Sequence, residues 1–253
     1  MNKKILVIIG LLVFAVGLIL VYFGYRKWTA EEKAGSIYEE VKIEYVKEPL
    51  VDTSQVLQKP LENPIDFESI TAKYPDVYAW IRIPGTAIDY PIVQREGDNA
   101  YYLNHTIDGQ RKIEGSIYTE DYNSKDFSDP NTLIYGHNMK NGSMFKGLHK
   151  YKDRQFFKEN SEIFIYQEGR VLRYKIFAAY LYDDRHIMLS FDFEDKIVFQ
   201  TYLNSVLTKQ DMRSNIDTTI PVTAKDKIIT LSTCDSNDNQ RYLVQAVLLS
   251  IQE

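Results

Sequence analysis

The chain has 253 residues, a formal net charge of −5 at pH 7 and one cysteine. This charge gives no electrostatic argument for nucleic-acid binding, and a lone cysteine excludes an internal disulfide and a cysteine-rich zinc module. Hydrophobic residues make up 44% and charged residues 26%, which excludes disorder as a description of the whole chain. A mean hydropathy of −0.32 excludes a multi-span membrane protein but allows a single span.

The chain begins with an uncharged apolar segment at residues 5–24, about the 20 residues that a helix needs to cross a bilayer. Two lysines precede it and an aromatic cluster follows it, as at membrane interfaces. The pattern predicts a membrane anchor at residues 1–28, with the N-terminus in the cytoplasm and the bulk of the chain outside. A cleaved signal peptide and a buried core helix are alternatives, but no small-x-small cleavage site follows the segment.

The rest of the chain divides into a charged stretch and a folded domain. Residues 29–64 predict a helical or flexible stalk that ends in a proline-marked linker at 49–64, and the folded domain is expected at 65–253. Short β-branched and aromatic segments in this domain predict strands at residues 78–83, 88–94, 115–118, 131–135, 162–167, 171–181, 227–232 and 242–251. Helical spacing at 144–160 and 193–209 predicts inserted helices. Many short strands at this spacing indicate a barrel or a sandwich, and we expect a mainly β fold, as a mixed barrel with inserted helices.

Cys234 ends the strand-like segment IITLSTC and precedes the turn-like DSNDNQ. A nucleophile at a strand end is held by a rigid element and stays open to substrate. A buried, inert cysteine is the alternative, but the neighbouring polar residues favour a reactive thiol.

A thiol needs a base or a cation nearby to act as a nucleophile at neutral pH. Among the four histidines, His137 closes the segment NTLIYGHN, another strand end followed by a turn. His105 lies in the aromatic segment YYLNH and is a candidate to line a site. The charged surroundings of His149 and His186 predict solvated surface residues.

Arg241 opens the last predicted strand, seven positions after Cys234. A short connection between adjacent strands would place its guanidinium beside the thiol, where it could donate to a developing oxyanion; a solvated strand-end arginine is the alternative. The sequence has no G-x-S-x-G, P-loop, G-x-G-x-x-G or H-E-x-x-H motif, and its histidines lack ligand spacing. We therefore expect no metal and no organic cofactor.

The segment TLSTC, the upstream YGHN and the arginine on the next strand together resemble the sortases, cysteine transpeptidases that attach proteins to the Gram-positive cell wall. The segments WIRIPGTAIDYPIVQ and YYLNHTIDGQRKIEGSIY, the helical insert and the N-terminal anchor resemble class B of this family. The resemblance covers about residues 65–253. It implies a closed sortase β-barrel of about eight strands, with the helical insert between the family's sixth and seventh strands. It also implies that Cys234, His137 and Arg241 are the catalytic residues.

The resemblance implies a membrane-anchored transpeptidase at the cell-wall side of the membrane. Such an enzyme cleaves the C-terminal sorting motif of a secreted protein after threonine, at an NPxTx- or xPxTG-like sequence, and transfers the protein to an amine of a lipid-linked peptidoglycan precursor. Pilin polymerisation, a cysteine peptidase that only hydrolyses, and a silent binding module are the alternatives.

Several residues near the three candidates are expected to play lesser roles. Ser232 should share a strand face with Cys234 and contact substrate or orient a neighbour; a strand-end hydroxyl bonded to the backbone is the alternative. Asn104 and His105 are expected to border the substrate groove. Asp235 could orient His137, although a turn-forming aspartate is the simpler interpretation. The helix at 193–209 is expected to form a wall of the groove.

Overall fold

The computed structural model describes residues 3–47, 63–235 and 240–253. The predicted linker at 49–64 lies almost entirely outside these residues. Within the described residues the α-helices are α1 (Lys3–Glu32), α2 (Ser36–Tyr45), α3 (Phe67–Lys73), α4 (Arg154–Glu159), α5 (Ile187–Ser190) and α6 (Lys196–Leu207). The strands are β1 (Val77–Arg82), β2 (Asp89–Val93), β3 (Ile117–Thr119), β4 (Asn131–Tyr135), β5 (Glu162–Gln167), β6 (Arg170–Asp183), β7 (Asn215–Ile216), β8 (Ile228–Cys234) and β9 (Gln240–Gln252).

The strands form one sheet in the order β5-β1-β2-β3-β4-β8-β9-β6-β7, and β5 also pairs with β6. That extra pairing closes eight strands into a barrel and leaves the two-residue β7 at its edge. The predicted mainly β, eight-stranded barrel is therefore confirmed. Closure of the eight strands leaves the short β7 as the open edge among the described strands.

The barrel closes because its two longest strands bend. β6 and β9 pair over twelve positions, and their register shifts between Arg173 and Tyr174 and again between Ile176 and Ala178. Such irregularities bend a strand and increase its twist. β6 therefore pairs with β9 along nearly its whole length and with β5 over its first half.

The eight predicted strands agree with the observed strands to within a few residues, whereas the short elements were not predicted. The predicted helix at 144–160 is divided into a 3₁₀-helix at Phe145–Lys152 and α4. Asp153 separates them, because its side chain accepts from the backbone N–H of Phe156 and caps α4. The predicted helix at 193–209 is observed as α6, which is capped in the same way by Asp195.

Two hydrophobic clusters support the barrel. The larger fills its interior and includes the fully buried Trp80, and the smaller lies where α6 packs on β6 and β9. A buried polar network anchors β8 on the face that α6 covers: Thr230 Oγ1 donates to Asn131 Oδ1 at 2.8 Å and accepts from Gln245 Nε2 at 2.8 Å, and Gln245 Nε2 also donates to the Tyr202 hydroxyl of α6 at 2.7 Å. Buried polar groups need such partners, so the first threonine of TLSTC is fixed by the core.

Within the described residues, the charged stretch before the barrel contains α2, and this helix packs on the barrel. Tyr38, Val41 and Tyr45 on α2 are buried, and Lys42 forms an ion pair with the buried Asp89 at 3.4 Å. The domain boundary predicted at residue 65 stays a prediction, but α2 already shares the core of the domain.

Tyr38→Phe tests this packing. The buried hydroxyl of Tyr38 donates to the carbonyl of Gly115 at 2.6 Å and lies 2.9 Å from Ser116 Oγ. Its removal leaves the buried carbonyl without that donor, so we expect the free energy of unfolding to fall by about 1–2 kcal/mol in urea titrations. Tyr122→Phe, which changes a half-exposed ring, should change it by less than about 0.5 kcal/mol. Equal effects would contradict the structural role of α2.

Among the described residues, one helix near the N-terminus is long and apolar enough to cross a membrane. Its most apolar window has a mean hydropathy of 1.5 and none of it is buried. The observed α1 contains the predicted segment at 5–24.

Candidate active site

Two neighbouring strands of the barrel end side by side. β4 and β8 are parallel, and their last paired residues are Tyr135 and Ser232. His137 and Cys234 each follow two residues later, so Cys234 at the end of β8 and His137 just after β4 lie at the same end of the two strands. β9 is antiparallel to β8, and Arg241 is the register partner of Cys234. The topology thus brings the three residues predicted to be catalytic to one end of the barrel.

The thiol and the guanidinium are in direct contact. Arg241 Nη1 donates to Cys234 Sγ at 3.4 Å, and Cys234 is partly exposed at the strand end. A guanidinium at this place stabilises negative charge on the sulfur and on an oxygen that develops beside it.

The ring of His137 is oriented by the backbone of a distant loop. Its Nε2 donates to the carbonyl of Leu103 at 2.6 Å, at the end of the 3₁₀-helix Tyr101–Leu103. The loop of His137 is held in turn by the backbone N–H of Phe145, which donates to the His137 carbonyl at 2.9 Å. With Nε2 engaged in this way, Nδ1 is the ring nitrogen that can exchange a proton with a reacting group.

Asn104 and His105 follow directly after Leu103. The His105 ring donates through Nδ1 to the carbonyl of Tyr101 at 2.8 Å and stacks on the Tyr101 ring, with centroids 4.1 Å apart. His105 therefore holds together the turn that presents the Leu103 carbonyl. Contact of Asn104 and His105 with substrate stays a prediction.

His149 was predicted to be a solvated surface residue, and this prediction is wrong. Its side chain is only 13% exposed, and its Nε2 donates to the carbonyl of Cys234 at 3.1 Å. Asn138 Nδ2 donates to the same carbonyl at 3.0 Å. The charged neighbours of His149 in sequence gave no sign of this contact, which the 3₁₀-helix at Phe145–Lys152 creates by packing beside the end of β8.

A cluster of polar and aromatic groups lies on the neighbouring strands. The rings of Tyr118 and Tyr135 stack with centroids 5.2 Å apart, and the Tyr135 hydroxyl donates to Glu120 Oε2 at 3.1 Å. Burial, with the charge of Glu120 adding to it, raises the pKa of both tyrosines, so both stay neutral. His186, predicted to be solvated, is instead partly buried, with Nε2 2.6 Å from Glu120 Oε2. It ties the segment between β6 and α6 to the barrel edge.

The remaining candidates are placed as follows. Ser232 is buried, two residues before Cys234 on β8, so strand alternation gives the two residues the same face. Asp235 forms an ion pair with Lys152 at 2.6 Å. Its predicted contact with His137 stays a prediction. The part of the chain that the structure describes contains no group of three or more His, Cys, Asp or Glu side chains that could hold a metal ion.

Comparisons with known proteins agree on one family. Residues 81–249 match the family model of the sortase domain. The chain is 38% identical over 179 residues to Sortase B of Listeria monocytogenes, covering 69% of this chain and 70% of that protein.

Solved structures give the same result. The fold resembles sortase B from B. anthracis in complex with AAEK1, with a TM-score of 0.69, 28% identity and coverage of 92% of this chain and 99% of that one. It also resembles a Staphylococcus aureus sortase B-substrate complex, with a TM-score of 0.68, 25% identity and coverage of 88% and 99%.

Proposed function

Because the chain belongs to the sortase family, and the relatives compared with it are class B sortases, we propose that it is a membrane-anchored cysteine transpeptidase of the cell wall. Its substrates are secreted proteins with a C-terminal sorting motif of the NPxTx or xPxTG kind. The observation that carries the proposal is the contact between Cys234 and Arg241 at the barrel end where His137 also lies.

In the proposed first half-reaction, the Cys234 thiolate attacks the carbonyl carbon of the motif threonine. Arg241 donates to the oxyanion that forms, and its contact with Sγ puts the guanidinium at the reacting centre. The protonated His137 gives its Nδ1 proton to the leaving amine as the C–N bond breaks. The products are a thioester between Cys234 and the protein and a released C-terminal peptide.

In the second half-reaction, an amine of a peptidoglycan precursor attacks the thioester. His137 takes a proton from this amine, an amide bond forms, and the Cys234 thiolate leaves. One amide replaces another, so no ATP is needed. Residues of this chain supply the nucleophile, the acid–base group and the oxyanion donor, so the scheme calls for no cofactor.

The apolar helix α1 supports the membrane-anchored part of this proposal. An apolar helix at the N-terminus, inserted with its N-terminus in the cytoplasm, would keep the catalytic domain on the outer surface of the membrane. Secreted proteins and lipid-linked precursors meet there, and tethering raises the effective concentration of the enzyme near both. Pilin polymerisation remains the second candidate, because a lysine of another subunit would use the same chemistry.

The test uses the full chain in detergent micelles with quenched fluorescent peptides that carry NPQTN-like and SPxTG-like motifs. We expect cleavage after threonine, an amide product when an amine is added, and loss of both with Cys234→Ala. Cleavage that depends on Cys234 but gives no amide product would show a hydrolase instead. Cleavage that survives Cys234→Ala would overturn the mechanism.

A further inference from the structure

The carbonyl of Cys234 lies where the sheet can no longer supply a hydrogen bond. The N–H of Asp235 donates to the carbonyl of Gln240 at 3.0 Å, and bonded pairs alternate along an antiparallel ladder. The backbone N–H and C=O of Cys234 therefore point away from β9 and towards β4. The last ladder contact there joins the N–H of Gly136 to the carbonyl of Ser232 at 3.1 Å, after which the chain of β4 leaves the sheet.

Two side chains donate hydrogen bonds to this carbonyl in place of a neighbouring strand. Asn138 Nδ2 and His149 Nε2 donate to the Cys234 carbonyl at 3.0 and 3.1 Å. They come from different segments, the loop after β4 and the 3₁₀-helix at Phe145–Lys152. A carbonyl oxygen has two lone pairs, so the pair fills its acceptor capacity. We call these two side chains the carbonyl clamp.

The surroundings of His149 keep it in the form that donates through Nε2. Its ring stacks on Tyr242, with centroids 5.2 Å apart, and its Nδ1 lies 3.6 Å from Asp235 Oδ1. Burial lowers the pKa of His149, and the positive charges of Lys152 and Lys146 act in the same direction, against Asp235 and the Cys234 carbonyl. The ring is therefore neutral at neutral pH, and its single proton lies on Nε2, facing the carbonyl.

We propose that Asn138 and His149 are positioning residues that hold the end of β8 and so place the Cys234 thiol for attack. The inference rests on the proposed function, in which Cys234 is the nucleophile. Asn138 also follows His137 directly. Its bond to the Cys234 carbonyl therefore fixes the distance between the loop that carries His137 and the strand β8 that carries Cys234. Misplacement of reacting groups by about 1 Å can cost about 100-fold in rate.

The first arm of the test compares four variants of the full chain. Asn138→Ala and His149→Phe each remove one donor, and phenylalanine keeps a ring to stack on Tyr242. His149→Gln keeps a donor that can reach the carbonyl. The control, Asn63→Ala, removes a similar bond, from Asn63 Nδ2 to the Gln167 carbonyl at 2.7 Å, in a part of the chain that carries none of the three catalytic candidates.

We expect Asn138→Ala and His149→Phe to lower kcat for peptide cleavage by about 10-fold, with KM within about twofold. His149→Gln should recover most of the lost kcat, and Asn63→Ala should leave it unchanged. Circular dichroism and Tm of each variant show whether it is folded. If His149→Phe does not fold, Asn138→Ala and His149→Gln still decide the outcome.

The second arm measures the thiol without any peptide. Cys234 is the chain's one cysteine, so the rate of its alkylation by iodoacetamide reports this site alone. We expect this rate to change at least about threefold in Asn138→Ala and His149→Phe, and to stay within about 1.5-fold of wild type in His149→Gln and Asn63→Ala.

Unchanged alkylation and kcat in both donor-removing variants would overturn the inference, as would a His149→Gln enzyme no better than His149→Phe. The two arms also separate this inference from the proposed function. If the wild-type enzyme cleaves and transfers no peptide, the proposed function fails, while the alkylation rates still decide whether the clamp positions the thiol.

Discussion

Arg241→Lys is expected to lower kcat for peptide cleavage by about 100- to 1000-fold while KM changes by less than about threefold. Arg241 Nη1 touches the sulfur at 3.4 Å, and a planar guanidinium can point further N–H groups at an oxygen that develops beside that sulfur. The ammonium of lysine is a point charge on a flexible side chain and cannot reproduce the planar set of N–H donors of a guanidinium. Steady-state kinetics with a cleavable motif peptide measure the effect.

Arg170→Lys is the matched control. Arg170 donates through Nε and Nη2 to Gln167 Oε1, and through Nη2 to the Asp126 carbonyl, so it also uses several N–H groups, but at the turn between β5 and β6. Its replacement should leave kcat within about twofold. An Arg241→Lys enzyme with near-normal kcat would rule out the oxyanion role, because the several N–H donors of the guanidinium would then not be needed for catalysis.

Gly115→Ala is expected to lower kcat by at least about 10-fold and the free energy of unfolding by about 1–3 kcal/mol. Gly115 has φ +54°, which a side chain rarely adopts, and an added Cβ would lie 2.6 Å from the carbonyl oxygens of Tyr102 and Leu103. Because these are backbone atoms, the loop must move. The Leu103 carbonyl is the acceptor for His137 Nε2, so the ring of His137 should lose its orientation.

Gly109→Ala separates the effect of backbone strain from the effect of displacing the Leu103 carbonyl. Gly109 also has a positive φ, +75°, but its added Cβ would meet only the Tyr101 hydroxyl, at 3.4 Å. We expect a similar loss of stability, measured by urea unfolding, with kcat within about twofold of wild type. If the two variants had the same kcat, the bond between Leu103 and His137 would not be what orients the ring.

The place of the three residues at the barrel end was predictable because each one lies at or beside a strand end. Cys234 ends β8, His137 follows the end of β4 by two residues, and Arg241 is the second residue of β9. Strand positions are local properties of the sequence. The closed barrel follows from pairings between distant strands, which were implied by the family resemblance rather than by any local pattern.

The contacts that hold the end of β8 at the site could not be predicted in the same way. His149 lies 85 positions before Cys234, and its contact depends on how a 3₁₀-helix packs beside β8. The packing of α2 did leave a signal in the sequence. Tyr38, Val41 and Tyr45 recur with the spacing of one helix face, and this pattern indicates a buried side in the segment for which a helical or flexible stalk was predicted.

The packing of α2 sets how far the catalytic domain can travel. Only residues 33–35 separate α1 from α2, and three residues span at most about 11 Å when extended. With α1 in the bilayer as proposed, the barrel stays within about 11 Å of the end of α1, because α2, the next helix, is already part of the core of the domain. The enzyme would then act only at the membrane surface and would not reach the outer layers of the wall. Its rate would depend on how fast its substrates diffuse laterally in the membrane.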